Sequence, residues 1–212
     1  MSSTTAERGA VPGRFVAFEG GEACGKSTQA ALLADALGAL RTHEPGGTSI
    51  GVTLRALALS PDTVGLDARA EALVMAADRA QHVAEVVRPA LVAGRHVVSD
   101  RFAGSSIAYQ GYGRGLPPDE IRGLSEFATD GVWPDLIVLL EVPAAVSAER
   151  LGADLDRMES AGAEFHARVA AGFRRQADAD PRRWVVIDGA ASVDEVRVVV
   201  NAAVRERLQL PV

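Results

Sequence analysis

The chain is nearly without lysine and nearly without cysteine. Lysine and arginine together number 22, and Lys26 is the one lysine among them. Cys24 is the single cysteine, so no intramolecular disulfide can form. No apolar run approaches the roughly 20 residues that a membrane-crossing helix needs, and no secretory-signal pattern opens the sequence. A cytoplasmic protein with no membrane partner is therefore expected. The formal net charge of −6 argues against a broad nucleic-acid surface, so an anionic ligand must be held by local arginines. No Asn-Lys-x-Asp run for reading guanine occurs, and no internal repeat is evident.

What is present is concentrated in one stretch: Gly20, Gly21, Glu22, Ala23, Cys24, Gly25, Lys26, Ser27 and Thr28. It fits G-x-x-x-x-G-K-[ST], the phosphate-binding P-loop. A strand-like run, Arg14 to Phe18, precedes it, and a run of helix formers from Gln29 to Leu37, closed by Gly38, follows. Glycines let backbone N–H groups curl around phosphate oxygens, and the helix N-terminus adds partial positive charge. In this motif Lys26 reaches the β- and γ-phosphates and the Ser27 hydroxyl ligates Mg²⁺. A compact ammonium is kept where a point charge among phosphates is wanted, in a chain that otherwise uses arginine. Cys24, inside the loop, reads as a small filler.

A chain of 212 residues, 48% hydrophobic and 24% charged, suits one soluble domain. Residues 1–13 are small, polar and punctuated by Gly and Pro, and read as a disordered leader to a domain spanning 14–212. Strands are expected at about 14–19, 39–42, 96–100, 136–142 and 184–188. Helices are expected at 49–59, at 68–88 (N-capped by Asp67 and ending before Pro89), and from Pro117-Pro118 to about 130. Further helices are expected at 144–151, to about 178, and after the Ser192-x-x-Glu195 capping box. Strands and helices alternate, which predicts a three-layer α/β sandwich: a five-stranded parallel sheet with helices on both faces and ligands at the carboxyl ends of the strands. His96 to Asp100 ends in an acid that either approaches Mg²⁺ in the manner of a Walker B strand or pairs with Arg101; the P-loop favours the first.

Four blocks together resemble the bacterial thymidylate kinases, a family of P-loop nucleoside monophosphate kinases. They are Phe18 to Thr28; Glu44-Pro45-Gly46-Gly47-Thr48 with Gly51 and Arg55; Ala76 to Arg79; and Asp100-Arg101-Phe102 through Ser105 to Gly111. The resemblance implies ATP- and Mg²⁺-dependent phosphorylation of dTMP to dTDP, by a homodimer formed through the helices near 68–88 and 118–130. A paralogue acting on a modified deoxypyrimidine monophosphate is the alternative. The resemblance also implies roles. Arg55 and Arg101 clamp the acceptor phosphate, and Arg79 hydrogen-bonds the thymine carbonyl. Ser106 and Gln110 read the base edge or its surroundings, and Tyr109 lies near the sugar. Glu44 and Pro45 line the acceptor site, and Glu22 sits near the 3′-hydroxyl and the Mg²⁺ held by Ser27 and Asp100. Because Ala23 stands where some relatives carry a P-loop arginine, a lid at about 150–162 is expected to supply Arg150 or Arg157 as an arginine finger; the other reading of that run is a solvated charged face.

Three residues depart from the pattern. His43 replaces an arginine before Glu44, Met75 replaces an aromatic that stacks on thymine, and Gly104 replaces an acid. Met75 and Arg79 lie one turn apart on one helix face, so both can reach a single base.

Overall fold

β1 (Phe15–Gly20) is buried along its whole length, as a strand flanked by neighbours on both edges and both faces must be. The computed structural model describes residues 12–152 and 155–212. β1 pairs with β3 (Val97–Asp100) on one side and β4 (Leu136–Glu141) on the other. β2 (Leu40–His43) and β5 (Trp184–Asp188) complete a parallel sheet in the order β2-β3-β1-β4-β5. The predicted five-stranded parallel sheet is therefore what forms. Register matters for the site: Asp100 lies opposite both Phe18 and His43, so β2 and β3 end level while β1 runs on to Gly20.

Alternation along the strands sorts the core into two faces. Val16, Phe18, Leu136, Val138 and Leu140 pack against α1 (Lys26–Leu37) and α9 (Val193–Leu208). Ile137 and Leu139 face the other way, onto Phe165, Val169 and Phe173 of α8 (Ala163–Ala179). Phe15 and Ala17 likewise face Val83 and Val87. Each fully buried Leu or Phe stabilises the fold by about 1.5–3 kcal/mol. The capping box is present at α9: Ser192 and Glu195 exchange side-chain-to-backbone hydrogen bonds.

The helix after Asp67 does not end before Pro89. α3 (Ala68–His82) runs into a π-helical turn, Val83–Val87, and on into α4 (Arg88–Val92). Pro89 occupies the first turn of α4, directly after the wider turn, which closes with the Arg88 N–H donating to the Val83 carbonyl. A second π-helical stretch, Ile107–Gly113, follows the short α5 (Ala103–Ser106). α2 (Ser49–Leu59), α6 (Pro118–Thr129) and α7 (Ala144–Arg150) fall within a residue or two of expectation. Of the expected leader, residues 1–11 lie outside the described residues, while Gly13 donates its N–H to Leu91 at 2.9 Å.

Candidate active site

The carboxyl ends of β1, β2 and β3 open into a cleft of about 720 Å³. Its floor is the loop between β1 and α1. Gly20 (φ 143°) and Gly25 (φ 93°) take conformations that L side chains rarely adopt, and a Cβ on Gly20 would lie 2.4 Å from the Leu140 carbonyl oxygen. No side chain caps α1, whose N-terminus opens on the loop. The Lys26 ammonium is held within the loop, donating to the Gly21 carbonyl and lying 3.5 Å from Cys24 Sγ.

Ser27 Oγ donates to Asp100 Oδ2 at 2.5 Å. Asp100 Oδ1 is buried and has no hydrogen-bond partner among the described residues. An unpaired buried carboxylate oxygen beside a serine hydroxyl is a donor set suited to a hard divalent cation. Asp100 is hydrogen-bonded by Ser27, and the alternative ion pair with Arg101 does not form among the described residues.

Arg101 adopts φ 69°, and its guanidinium is fully engaged at both terminal nitrogens. Nη1 donates to the Gly20 carbonyl (3.1 Å) and Ser105 Oγ (3.2 Å); Nη2 donates to both oxygens of Glu22 at 2.8 Å. The Tyr109 hydroxyl donates to the same Glu22 carboxylate. Burial raises the Glu22 pKa, but Arg101, Lys26 and Tyr109 outweigh it and hold it at about 2. Glu22 lines the same cleft as Ser27 and Asp100, with its oxygens accepting from Arg101 and Tyr109.

The turn that presents Arg101 is shaped by a residue to which the sequence reading gave no role. Glu19 is fully buried, and its Oε1 accepts the N–H groups of Phe102 and Ser105, both at 3.0 Å; its Oε2 accepts Ser105 Oγ at 2.6 Å. Burial pushes its pKa up to about 7 against those donors and Arg101. The departure at Gly104 also finds its reason here. A Cβ at position 104 would lie 2.8 Å from Glu19 Oε1 and 2.9 Å from Trp184 Cη2.

On the acceptor side, Glu44 points into the protein. It accepts from Arg79 Nε at 2.9 Å and meets His82 Nδ1 at 2.8 Å, and His82 Nε2 meets Thr42 Oγ1 at 2.6 Å. Arg79 also donates to the Phe102 carbonyl and to Ser106 Oγ, both at 3.1 Å. Glu44 and His82 thus hold Arg79 in place rather than lining the cleft bare. Asp78 accepts the Gly46 N–H at 2.9 Å; burial, with Glu44 adding, raises its pKa to about 6. Arg55 is exposed and donates to the Pro45 carbonyl at 3.0 Å. Desolvation and the neighbouring Arg55 lower the His43 pKa, which disfavours its charged form. Half-buried Met75 lines the same wall as Ser106, Tyr109 and Gln110.

The two arginines of the expected lid differ in their partners. Arg150 lines the cleft and donates to the Gly189 carbonyl at 3.0 Å. Arg157, expected as an alternative finger, is turned to Glu71 and to the Ala58 carbonyl (2.9 Å), because a buried carboxylate competes for it. Residues 153 and 154 of the expected lid lie outside the described residues. Glu71, Asp78 and His82, all unassigned from sequence, share one face of α3 with Met75 and Arg79. The signal was there: at i, i+4, i+7, i+8 and i+11 this buried stripe reads Glu, Met, Asp, Arg, His.

A family model described as thymidylate kinase matches residues 18–199. A thymidylate kinase of Solidesulfovibrio magneticus is 50% identical over 196 residues, covering 86% of this chain and 94% of the relative. One from Geotalea uraniireducens is 43% identical, covering 92% and 98%. The crystal structure of thymidylate kinase from Ehrlichia chaffeensis matches with a TM-score of 0.74 at 31% identity, over 92% of this chain and 99% of that one.

Proposed function

The chain belongs to the thymidylate kinase family, and we infer that it phosphorylates dTMP to dTDP with ATP and Mg²⁺. The observation that carries this reading is the single cleft in which a P-loop and an acid face an arginine-rich acceptor wall. Phosphoryl transfer between two polyanions is mostly positioning and charge neutralisation, and that is what these groups supply.

Residues Gly20 to Thr28 cradle the donor phosphates, with Lys26 as the point charge at the transferring group. Ser27 and Asp100 are the residues that would hold Mg²⁺, which supplies charge neutralisation on the donor phosphates when bound. Arg55 and Arg101 clamp the acceptor phosphate. Among the described residues Arg101 has its Nε–H left for that purpose, or it exchanges Glu22 for a phosphate oxygen. Glu22, released by such an exchange, would turn to the 3′-hydroxyl side. Arg150, which lines the cleft, is the arginine assigned in this reading to the phosphoryl group in flight. Arg79 donates to the base carbonyl, Gln110 and Ser106 complete the base edge, and Tyr109 packs at the sugar.

A homodimer through α3 and α6 is part of this reading, and it is supported by Leu73 and Phe127, which are 58% and 85% exposed on those helices. No helix among the described residues is long and apolar enough to cross a membrane. A cytoplasmic setting, where nucleotides are found, completes the proposal.

The test is ADP release coupled to a reporter enzyme over dTMP, dUMP, 5-substituted dUMPs, dCMP and UMP. The expected result is Mg²⁺-dependent turnover with dTMP foremost. ATP hydrolysis indifferent to every monophosphate would overturn the kinase reading.

A further inference from the structure

Glu71 stands in the first turn of α3 and is wholly shut off from water. Its Oε1 accepts from Gln110 Nε2 at 2.9 Å and from Arg114 Nε at 3.2 Å. Its Oε2 takes Arg114 Nη2 at 3.1 Å and the guanidinium of Arg157. A carboxylate faced by two guanidinium groups offers only acceptor oxygens. Gln110 must therefore turn its amide N–H toward Glu71, since the opposite orientation would set oxygen against oxygen. Its Oε1 is left to the cleft that Gln110 lines, with no protein donor among the described residues.

Arg79 is fixed in a parallel way. The buried Glu44 holds its Nε, Ser106 and the Phe102 carbonyl hold Nη2, and Nη1 has, among the described residues, only a long 3.5 Å contact to Ser125. Of these two residues, Arg79 shows the cleft a donor and Gln110 an acceptor, each locked from behind by its own buried carboxylate.

Resting on the dTMP kinase reading, we propose that Glu71 is a positioning residue for base choice. By pointing the Gln110 carbonyl into the cleft, it makes the acceptor site require a base with an N–H donor next to a carbonyl. That is the N3–H/C4=O edge of thymine and uracil; cytosine has an acceptor at N3 and a donor at C4. A buried acceptor left facing another acceptor loses the full worth of its hydrogen bond, which is how polar sites reject near-isosteres. The same carboxylate anchors Arg157, so the lid and the base edge share one fixed point.

The test compares wild type, Glu71→Gln, and the double variant Glu71→Gln/Gln110→Glu. In Glu71→Gln, Arg157 and Arg114 keep the new amide's oxygen, its NH₂ turns to Gln110, and Gln110 must flip. The ratio of kcat/KM for dTMP over dCMP should fall at least tenfold, with KM for dTMP rising more than kcat falls. In the double variant an acceptor oxygen faces the cleft again, and the ratio should recover to within about threefold of wild type. A merely structural Glu71 would lower both substrates alike, and an unchanged ratio overturns the proposal. If Glu71→Gln does not fold, binding of dTMP and 3-methyl-dTMP to the wild type decides: at least tenfold weaker binding of the methylated base is expected, and equal binding overturns it. A wild type that phosphorylates no 4-oxo pyrimidine monophosphate would sink the kinase reading and this proposal together. A wild type that prefers dTMP beside a Glu71→Gln variant that prefers it equally would sink the role of Glu71 alone.

Discussion

The two halves of the cleft are built by opposite means. The half proposed for the donor is made by nine consecutive residues, Gly20 to Thr28, whose backbone N–H groups and helix terminus would do most of the binding. The acceptor half is made by side chains from β2, α2, α3, α5 and the π-helical stretch after it, and its working groups are aimed by buried charges behind them. A backbone cradle tolerates side-chain change except at its few special positions. A wall aimed from behind can be upset by residues that never touch the ligand.

Four experiments break or sharpen that contrast. The largest effect is expected at Arg150, on the segment proposed as a lid. Arg150→Ala should lower kcat by about 10³-fold with little change in KM, as for a contact made mainly in the transition state. Arg157→Ala should stay within about tenfold of wild-type kcat, since its guanidinium sits on Glu71. Steady-state kinetics showing the reverse order would exchange their roles. Next, Lys26→Ala should cost about 10²-fold or more in kcat, and Lys26→Arg should fail as well, because a planar fork does not fit a cradle shaped for an ammonium. Near-normal activity in the arginine variant would mean the donor half is less demanding than its backbone geometry implies.

The third concerns pH and the acceptor half. Burial raises the Asp78 pKa to about 6, so between about pH 4 and 6 the folded state holds a proton that the unfolded chain releases. Stability is lost as pH rises through that window. Asp78→Asn should therefore be more stable than wild type at alkaline pH by about 2 kcal/mol, with the gain gone near pH 4. Thermal melts of both proteins at the two pH values check this, and parallel melts would show that the charge is not buried at any cost. The smallest effect is at the base. Met75→Phe restores an offset stack worth about 0.5–1.5 kcal/mol, so KM for dTMP should fall about threefold to tenfold and the range of tolerated 5-substituents should narrow. An unchanged KM would place Met75 off the base.

Legibility in the sequence follows the same division. The P-loop, the strand ending in Asp100 and the capping box at Ser192 and Glu195 are local patterns, and each forms as read. Parallel strands announce themselves by continuous apolar runs such as Leu136 to Leu140. What escaped were pairings across long stretches of chain: Glu44 with Arg79 and His82, Glu71 with Gln110 and Arg157, Glu19 with the turn after Arg101. Such carboxylates look like ordinary surface residues until the fold removes the water around them. The run through Pro89 escaped because the π-helical turn that accommodates the proline leaves no mark in hydrophobic periodicity.

Lys26 is 5% exposed, and its nitrogen rests on the loop it completes. With no second ε-amine in the chain, reductive methylation with labelled formaldehyde installs one side-chain reporter, at the phosphate cradle. Its nuclear resonance would titrate nucleotide occupancy directly, unclouded by the crowd of surface amines that defeats this chemistry in most kinases. Slow labelling in the free protein and slower labelling under ATP would turn an accident of composition into a built-in gauge of the donor half.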